Sequence, residues 1–222
     1  MKLDLHVHTT ASPDGFQSPA AAVRACVRRG LDGLAITDHN TMAAVAEAKR
    51  HAPEGFLVIS GAEYSTDHGH ILALFITEDA MQAGLPKDER GRLRLEPLSR
   101  FVRAQGGLLV AAHPFQGRAS LPGTLCAWVD GAEVLNGRES ALRPENERRA
   151  AQWAAQNGKF CTAGSDAHTR FETGRAYTEC PDAMDFKSAL LAGACAPRGR
   201  PAYLPWLLIA KAWKKAKRRL FR

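Results

Sequence analysis

Short, nearly continuous apolar runs alternate along this chain with longer amphipathic stretches, and few folds accept that pattern. The runs are KLDLHVH, DGLAITDHN, FLVISGAEY, HILALFIT, GGLLVAAHP, GAEVLN, KFCTAGSDAH and RAYTE. Residues 18–29, 41–51, 95–105, 144–157 and 182–192 lie between them and carry apolar side chains at helical spacing. Strands apolar on both faces belong to a sheet that helices cover, so the pattern predicts an α/β fold with a parallel sheet or barrel. Residues 78–94 read as a polar connection. A length of 222 residues suits one domain with an appendage.

Polar residues fall where these runs end. His6 and His8 close the first, Asp38 and His39 the second, Glu63 the third, His113 the fifth, Asn136 the sixth, and Asp166 with His168 the seventh. Barrels and open α/β sheets bind ligands at the carboxyl ends of their strands, so these side chains are expected on one rim. His70 begins a run instead, but the chain between it and Glu63 is too short for a crossover. A hairpin is expected there, with one antiparallel strand and His70 beside Glu63.

Six of the eight histidines, His6, His8, His39, His70, His113 and His168, thus meet Asp14, Asp38, Glu63 and Asp166. Each block has a plain reading alone: a polar strand end for HxH, a helix cap at Asn40 for TDHN, a turn for GSDAH. Together, so many imidazoles and carboxylates stay expensively desolvated unless cations compensate them, which points to a multinuclear metal site. His6 and His8, two apart on a strand, share a face and can bind one ion. Nitrogen and oxygen donors without cysteine suit Mn, Fe or Zn. The five cysteines form no CxxC pair and read as small, unpaired core residues of a reducing compartment. No signal peptide or membrane span is expected, and the expected location is cytoplasmic.

DLHVHT, ASPDG, TDHN, GAEYS, HILAL, AHP and GSDAH, in this order over about residues 1–180, resemble the PHP family, the polymerase and histidinol phosphatase domain. The resemblance implies an irregular (β/α)7 barrel, TIM-like, over residues 1–200, hydrolysing phosphate esters with three divalent metal ions. It implies that His6, His8, Glu63 and Asp166 hold the first metal, that Glu63 bridges to a second held by His70 and His113, and that Asp14, His39 and His168 hold the third. Glu63, Asp38, His39 and Asp166 are the expected catalytic residues, Asp38 more as a partner of His39 than as a proton donor. The net charge stays positive and favours a phosphomonoester dianion. An amidohydrolase reading lacks the Asp14 and TDHN blocks.

Family members act on histidinol phosphate, nucleoside bisphosphates, short RNA or DNA 3′ ends. The nucleotidase and exoribonuclease members carry an inserted domain between the strands of His70 and His113, where this chain has only 42 residues. That implies an open site for phosphomonoesters, nucleotides or oligonucleotide ends. Arg118, Asn136, Arg138 and Arg170, in or beside loops that follow rim strands, are candidates to bind substrate.

The net charge of +7 is located in residues 201–222, whose removal leaves a charge-balanced body. There Trp206, Ile209, Trp213, Ala216 and Leu220 recur at helical spacing opposite Lys211, Lys214, Lys215, Arg218 and Arg222. This predicts a basic amphipathic C-terminal helix that covers the barrel or meets nucleic acid or an anionic membrane surface. An alternative reading is therefore a metal-stabilised nucleic-acid-binding accessory domain with little catalysis.

Overall fold

The computed structural model describes residues 1–116, 125–205 and 207. Nine strands, β1 (Lys2–Val7), β2 (Gly33–Ile36), β3 (Leu57–Thr66), β4 (Gly69–Leu74), β5 (Leu108–Ala111), β6 (Gly131–Asn136), β7 (Phe160–Gly164), β8 (Ala176–Glu179) and β9 (Ala196–Gly199), form one sheet. Its order is β7-β6-β5-β4-β3-β2-β1-β8-β9. The helices are α1 (Pro19–Arg28), α2 (Val45–His51), α3 (Leu95–Ala104), α4 (Gly137–Leu142), α5 (Glu145–Gln156) and α6 (Phe186–Leu191).

Strands β1, β2 and β3 are parallel, as are β5, β6 and β7, and β4 runs antiparallel between the two sets. The hairpin expected between Glu63 and His70 is present, with Ser65 paired to His70. Beyond it, β8, the expected RAYTE strand, pairs antiparallel with β1, and β9 pairs antiparallel with β8; neither this second antiparallel pairing nor β9 was foreseen from the sequence.

The sheet curls until β7 meets β1, and backbone pairing closes the seam only near the rim: His8 N–H donates to the Ala167 carbonyl at 2.9 Å and Ala167 N–H to that of His6 at 3.3 Å. Below that point side chains replace the ladder. The Asp4 carboxylate accepts from the N–H groups of Ser165 (2.9 Å) and Gly174 (2.7 Å), and the Thr178 hydroxyl accepts from Ala163 N–H at 2.9 Å. Burial pushes the Asp4 carboxyl up to about 6 against these donors. At Gly164 a Cβ would lie 2.4 Å from that of His6, so the close approach of β7 to β1 requires glycine.

Leu3, Leu5, Leu72, Leu74 and Val110 pack together inside the barrel, and Phe186 and Leu190 of α6 join them. Outside, α1 and α2 cover β2 through Val23, Cys26 and Ala48, while Leu98 and Val102 of α3 and Trp153 of α5 cover the other half. Helix starts follow local chemistry: Ser18 caps α1 with Pro19 in its first turn, and Asp185 caps α6.

Three expectations fail. Cys180 and Cys195 form a disulfide, because β8 and β9 pair Glu179 with Ala196 and so set the next two residues opposite each other. Cys26, Cys126 and Cys161 are free thiols. Asn40 does not cap a helix: α2 begins at Val45, and the Asn40 side-chain oxygen accepts from Ser65 N–H at 2.9 Å, tying β2 to β3. Helix α4 follows β6 directly where a loop was expected. The predicted C-terminal helix and Arg118 lie outside the described residues. No helix among those described is long and apolar enough to cross a membrane.

Candidate metal centre

Two strand irregularities aim the polar side chains inward. On β1, Leu3 and Leu5 pack into the barrel interior, so strict alternation would turn His6 and His8 outward. An extra residue between Asp4 and Val7 relative to β2 reverses the parity. Val7 then packs outward beside Val23 and Cys26 of α1, and His6 and His8 face the interior. On β6, Ala132 and Val134 face α5. A second bulge between Glu133 and Leu135 brings both Glu133 and Asn136 inward, their side chains joined at 2.8 Å.

The rim residues converge on Glu63, which is fully buried. Its Oε1 lies 3.0 Å from His113 Nε2 and 2.9 Å from His70 Nδ1. Its Oε2 lies 2.9 Å from His39 Nδ1, 3.3 Å from His8 Nε2 and 3.4 Å from His6 Nε2. Asp166 Oδ1 is 3.3 Å from His8 Nε2 and 3.7 Å from His6 Nε2. Asp14 Oδ2 is 3.3 Å from His168 Nε2 and 3.6 Å from His39 Nε2. All nine ligand positions expected from the sequence therefore meet in one cluster. Within it, four groups bring their donor atoms within 4.8 Å of one another: His6, His8 and Asp166; His6, Glu63 and His113; His39, Glu63 and His70; His8, His39 and His168.

Tautomers decide what this cluster can bind. His6 Nδ1 donates to Glu133 Oε1 at 2.9 Å, and His168 Nδ1 to the Asp166 carbonyl at 2.9 Å. Ser12 spends its proton on Asp38 at 2.7 Å, so it accepts from His8 Nδ1 at 3.2 Å. In the neutral form of all three rings Nε2 then carries the lone pair. Yet the Nε2 atoms of His6 and His8 stand 3.1 Å apart. Two facing lone pairs repel unless a proton or a metal cation lies between them. Glu63 Oε2 and His70 Nδ1 are buried and make no hydrogen bond among the described residues, despite their close neighbours. Such donor atoms, aimed together and otherwise unused, fit divalent cations.

The electrostatics say the same. Burial pushes the His6 imidazolium down, but Glu133, Glu63 and Asp166 more than reverse this and leave it well above its ordinary value. His39, opposed by burial, is raised to about 10 by Asp14 and Glu63. Glu63 itself, despite burial, is held well below the carboxylate range by His6, His113 and His39. The cluster demands positive charge, which protons supply when metal does not.

A surrounding layer of acceptors holds the cluster. Glu133 accepts from His6 with one oxygen and from His113 N–H at 2.9 Å with the other. Asp38, expected among the catalytic residues, accepts from Thr9 N–H and hydroxyl and from the Ser12 hydroxyl at 2.6–2.7 Å, and Ser12 in turn accepts from His39 N–H. Glu172 accepts from the N–H groups of His168 and Thr169 and from Arg138 Nε at 2.8 Å. Glu133, Ser12 and Glu172 escaped the sequence reading: Glu133 sits within an apolar run, Ser12 lies in the ASPDG block where only Asp14 was singled out, and Glu172 lies in a loop without a recognisable motif.

The expected substrate-binding residues divide. Asn136 caps α4 with its oxygen and turns its amide toward Glu133 and Asp166, so it braces the centre. Arg138 is half-buried beside the His168 loop, whereas Arg170 is exposed and lies over the Phe171 ring. His113 (φ 30°) and Asp166 (φ 53°) both have left-handed backbones. Such conformations cost on the order of 1–3 kcal/mol and persist where the surroundings hold them.

A family model described as the PHP domain matches residues 4–113, and one described as PHP-associated matches 144–195. An uncharacterised protein of Methanocaldococcus jannaschii is 34% identical over 61% of this chain and 82% of its own length. A 3′,5′-nucleoside bisphosphate phosphatase of Chromobacterium violaceum is 32% identical over 60% of this chain and 46% of its own. A 5′-3′ exoribonuclease of Salmonella typhimurium is 32% identical over 94% of this chain and 59% of its own. This chain thus spans about half of those two enzymes. In structure, a two-domain protein of Bacteroides vulgatus with a predicted PHP-like metal-dependent phosphoesterase superposes with a TM-score of 0.73 at 22% identity, over 90% of this chain and 65% of that one.

Proposed function

We propose, from the premise that this chain belongs to the PHP domain family, that it hydrolyses phosphate esters with divalent metal ions, acting on phosphomonoesters, nucleotides or oligonucleotide ends. One observation carries the reading: the Nε2 atoms of His6 and His8 face each other at 3.1 Å with Nδ1 of each already committed. A positive charge between them makes that arrangement favourable, a proton in the metal-free protein and a divalent cation when one is bound, and the surrounding carboxylates of Glu63 and Asp166 favour the larger charge.

In this reading His6, His8, Glu63 and Asp166 hold one ion, Glu63 with His70 and His113 a second, and Asp14, His39 and His168 a third. Overlap of the ligand groups at His8, His39 and Glu63 supports several ions sharing donors. Divalent ions bound there supply Lewis acidity toward phosphoryl oxygens and acidify water at neutral pH. The chain's own residues do the rest. Glu133 and the Asp166 carbonyl keep the imidazoles of His6 and His168 in the ligating tautomer. Asp38, its oxygens taken by Thr9 and Ser12, fixes the loop that presents His8 and His39. Arg138, anchored by Glu172, which also accepts from His168 N–H, is the candidate to meet a substrate oxygen. A cavity of about 150 Å³ lined by His68, His70, His113 and Gln116 opens beside the cluster and offers room for the organic part of a small ester.

The phosphatase and exoribonuclease relatives support phosphate esters as the substrate class. The test is a panel of histidinol phosphate, 3′,5′-bisphosphates, p-nitrophenyl phosphate and labelled short RNA and DNA, each assayed with Mn, Fe and Zn. Metal-dependent release of phosphate or nucleotide is expected, and it should vanish in Glu63→Gln. A metal-loaded protein inert toward the whole panel would sink the proposal.

A further inference from the structure

On the outer wall of the barrel, a cleft of about 650 Å³ lies between the end of α1 and the β8–β9 hairpin. Arg28 and Arg29 line one side, and Arg175, Arg198 and Arg200 the other, with Tyr177 among them. None of these residues belongs to the rim cluster.

The hairpin register makes this crowding costly. Tyr177 pairs with Arg198, and two residues on, past Ala176 and Gly199, Arg200 N–H donates to the Arg175 carbonyl at 2.8 Å, which sets two arginines opposite each other. Like charges opposed across a ladder destabilise it. Arg28, in the last turn of α1, complements the helix dipole, but that accounts for nothing on the hairpin. Acids do not neutralise the cleft either. Glu179 engages Arg198 at 3.0 Å and Lys2 at 3.9 Å. Arg29 and Arg175 donate instead to the carbonyl oxygens of Phe171 and Pro201. Among the described residues, Arg28, Arg29, Arg175 and Arg200 make no ion pair. Burial and then the charge of Arg175 pull the Arg29 guanidinium below its ordinary value.

We propose that this cleft binds the phosphate backbone of a single-stranded nucleic acid, with Tyr177 as the surface on which a base stacks. The cations spread along two walls instead of converging on one point, which suits successive phosphates better than a single anion. A half-buried aromatic among arginines is the composition of single-strand grooves, where stacking tolerates any base. A duplex would present its phosphates without an exposed base for Tyr177. The binding does not depend on hydrolysis at the rim.

The experiment measures anisotropy of a labelled RNA strand of about 12 nucleotides with the full chain in chelator, so that no cleavage intervenes. The double variant Arg175→Gln, Arg200→Gln should weaken binding about tenfold or more and lower the slope of log affinity against log salt by about 1.4, roughly 0.7 per phosphate contact. Lysine at both positions should restore the slope. Tyr177→Ala should weaken binding by about fivefold to a hundredfold while leaving the slope unchanged. p-Nitrophenyl phosphate hydrolysis should match the parent throughout, and binding is read well below the melting temperature, which should hold or rise in the double variant as two opposed charges are removed and fall in Tyr177→Ala, whose ring packs partly against the core. Unchanged strand affinity in the double variant would show that binding lies elsewhere, the basic tail included, and would overturn the proposal. A duplex bound as tightly as the strand would overturn it as well.

Discussion

Glu133 Oε1 lies 2.9 Å from Nδ1 of His6, and this contact fixes which nitrogen of His6 faces the centre of the barrel. Because the other Glu133 oxygen accepts from His113 N–H, one carboxylate orients donors from two strands. Glutamine at 133 must turn an NH2 toward one of these two donors. Removing such an outer partner weakens metal binding by about 10- to 100-fold. Competitive chelator titration of Glu133→Gln should show this loss, with activity recovered at saturating metal. Unchanged affinity would reject the orienting role.

Glu63 and His70 touch at 2.9 Å, yet their substitutions should differ sharply. His70 is near one Glu63 oxygen, whereas Glu63 faces His70 and His113 with Oε1 and His39, His8 and His6 with Oε2. Glu63→Gln should therefore reduce bound metal by more than one ion per chain and abolish turnover. His70→Ala should lose about one ion and retain measurable activity. Elemental analysis of the two purified variants decides, and equal metal content would reject a bridging Glu63.

How much of this was legible beforehand depended on contrast with the surroundings. A histidine or acid ending an apolar run stands out, because such runs mark buried strands, and so most members of the rim cluster could be read from the chain alone, whereas Asp14, which ends no such run, took its role from the family resemblance. Glu133 could not, since it lies inside GAEVLN and only the bulge after it reveals that it shares the interior with Asn136. Strand β9, APRG, has neither apolar run nor alternation. Without that strand the pairing of Cys180 with Cys195 was invisible, as was the arginine cleft built on the same hairpin.

Asp166 combines a proposed ligand position with a left-handed backbone of φ 53°, which asparagine tolerates and β-branched residues do not. Asp166→Asn should lower metal content and destabilise chelator-treated protein only through loss of the carboxylate's charge, which His6 and His8 face. Asp166→Val should lose metal and be less stable than Asp166→Asn by about a further 1–3 kcal/mol, the cost of a β-branched residue at this φ. Urea unfolding of both variants without metal separates backbone from ligand effects, and equal stabilities would show that the backbone is not strained.

The Cys180–Cys195 disulfide closes a loop of 15 residues that contains α6, whose Phe186 and Leu190 pack into the barrel interior. In the chain-entropy account a loop of this length contributes about 3 kcal/mol. Cys195→Ser should lower the unfolding free energy by about that much, and the parent in a dithiol reductant should match the variant. A parent insensitive to reductant would show that the bond contributes nothing.

Asp4 is the last link in the barrel seam, where β7 and β1 meet without a full backbone ladder. Its carboxylate accepts from Ser165 N–H at 2.9 Å, from the Ser165 hydroxyl, from Gly174 N–H at 2.7 Å and from His6 N–H at 3.3 Å. The residue is fully buried, so alanine there strands donors that water cannot reach. Each unsatisfied buried donor costs about 1–3 kcal/mol, and two N–H groups set a loss of roughly 3 kcal/mol for Asp4→Ala. Asparagine keeps one acceptor but turns an NH2 toward the remaining donors, so Asp4→Asn should fall between parent and alanine. Hydrogen exchange distinguishes a local seam from a global effect: in Asp4→Ala the amides of Ser165 and Gly174 should lose protection while those of β3 and β4 change only with the overall stability. Retained protection at Ser165 would mean that the seam holds without the carboxylate.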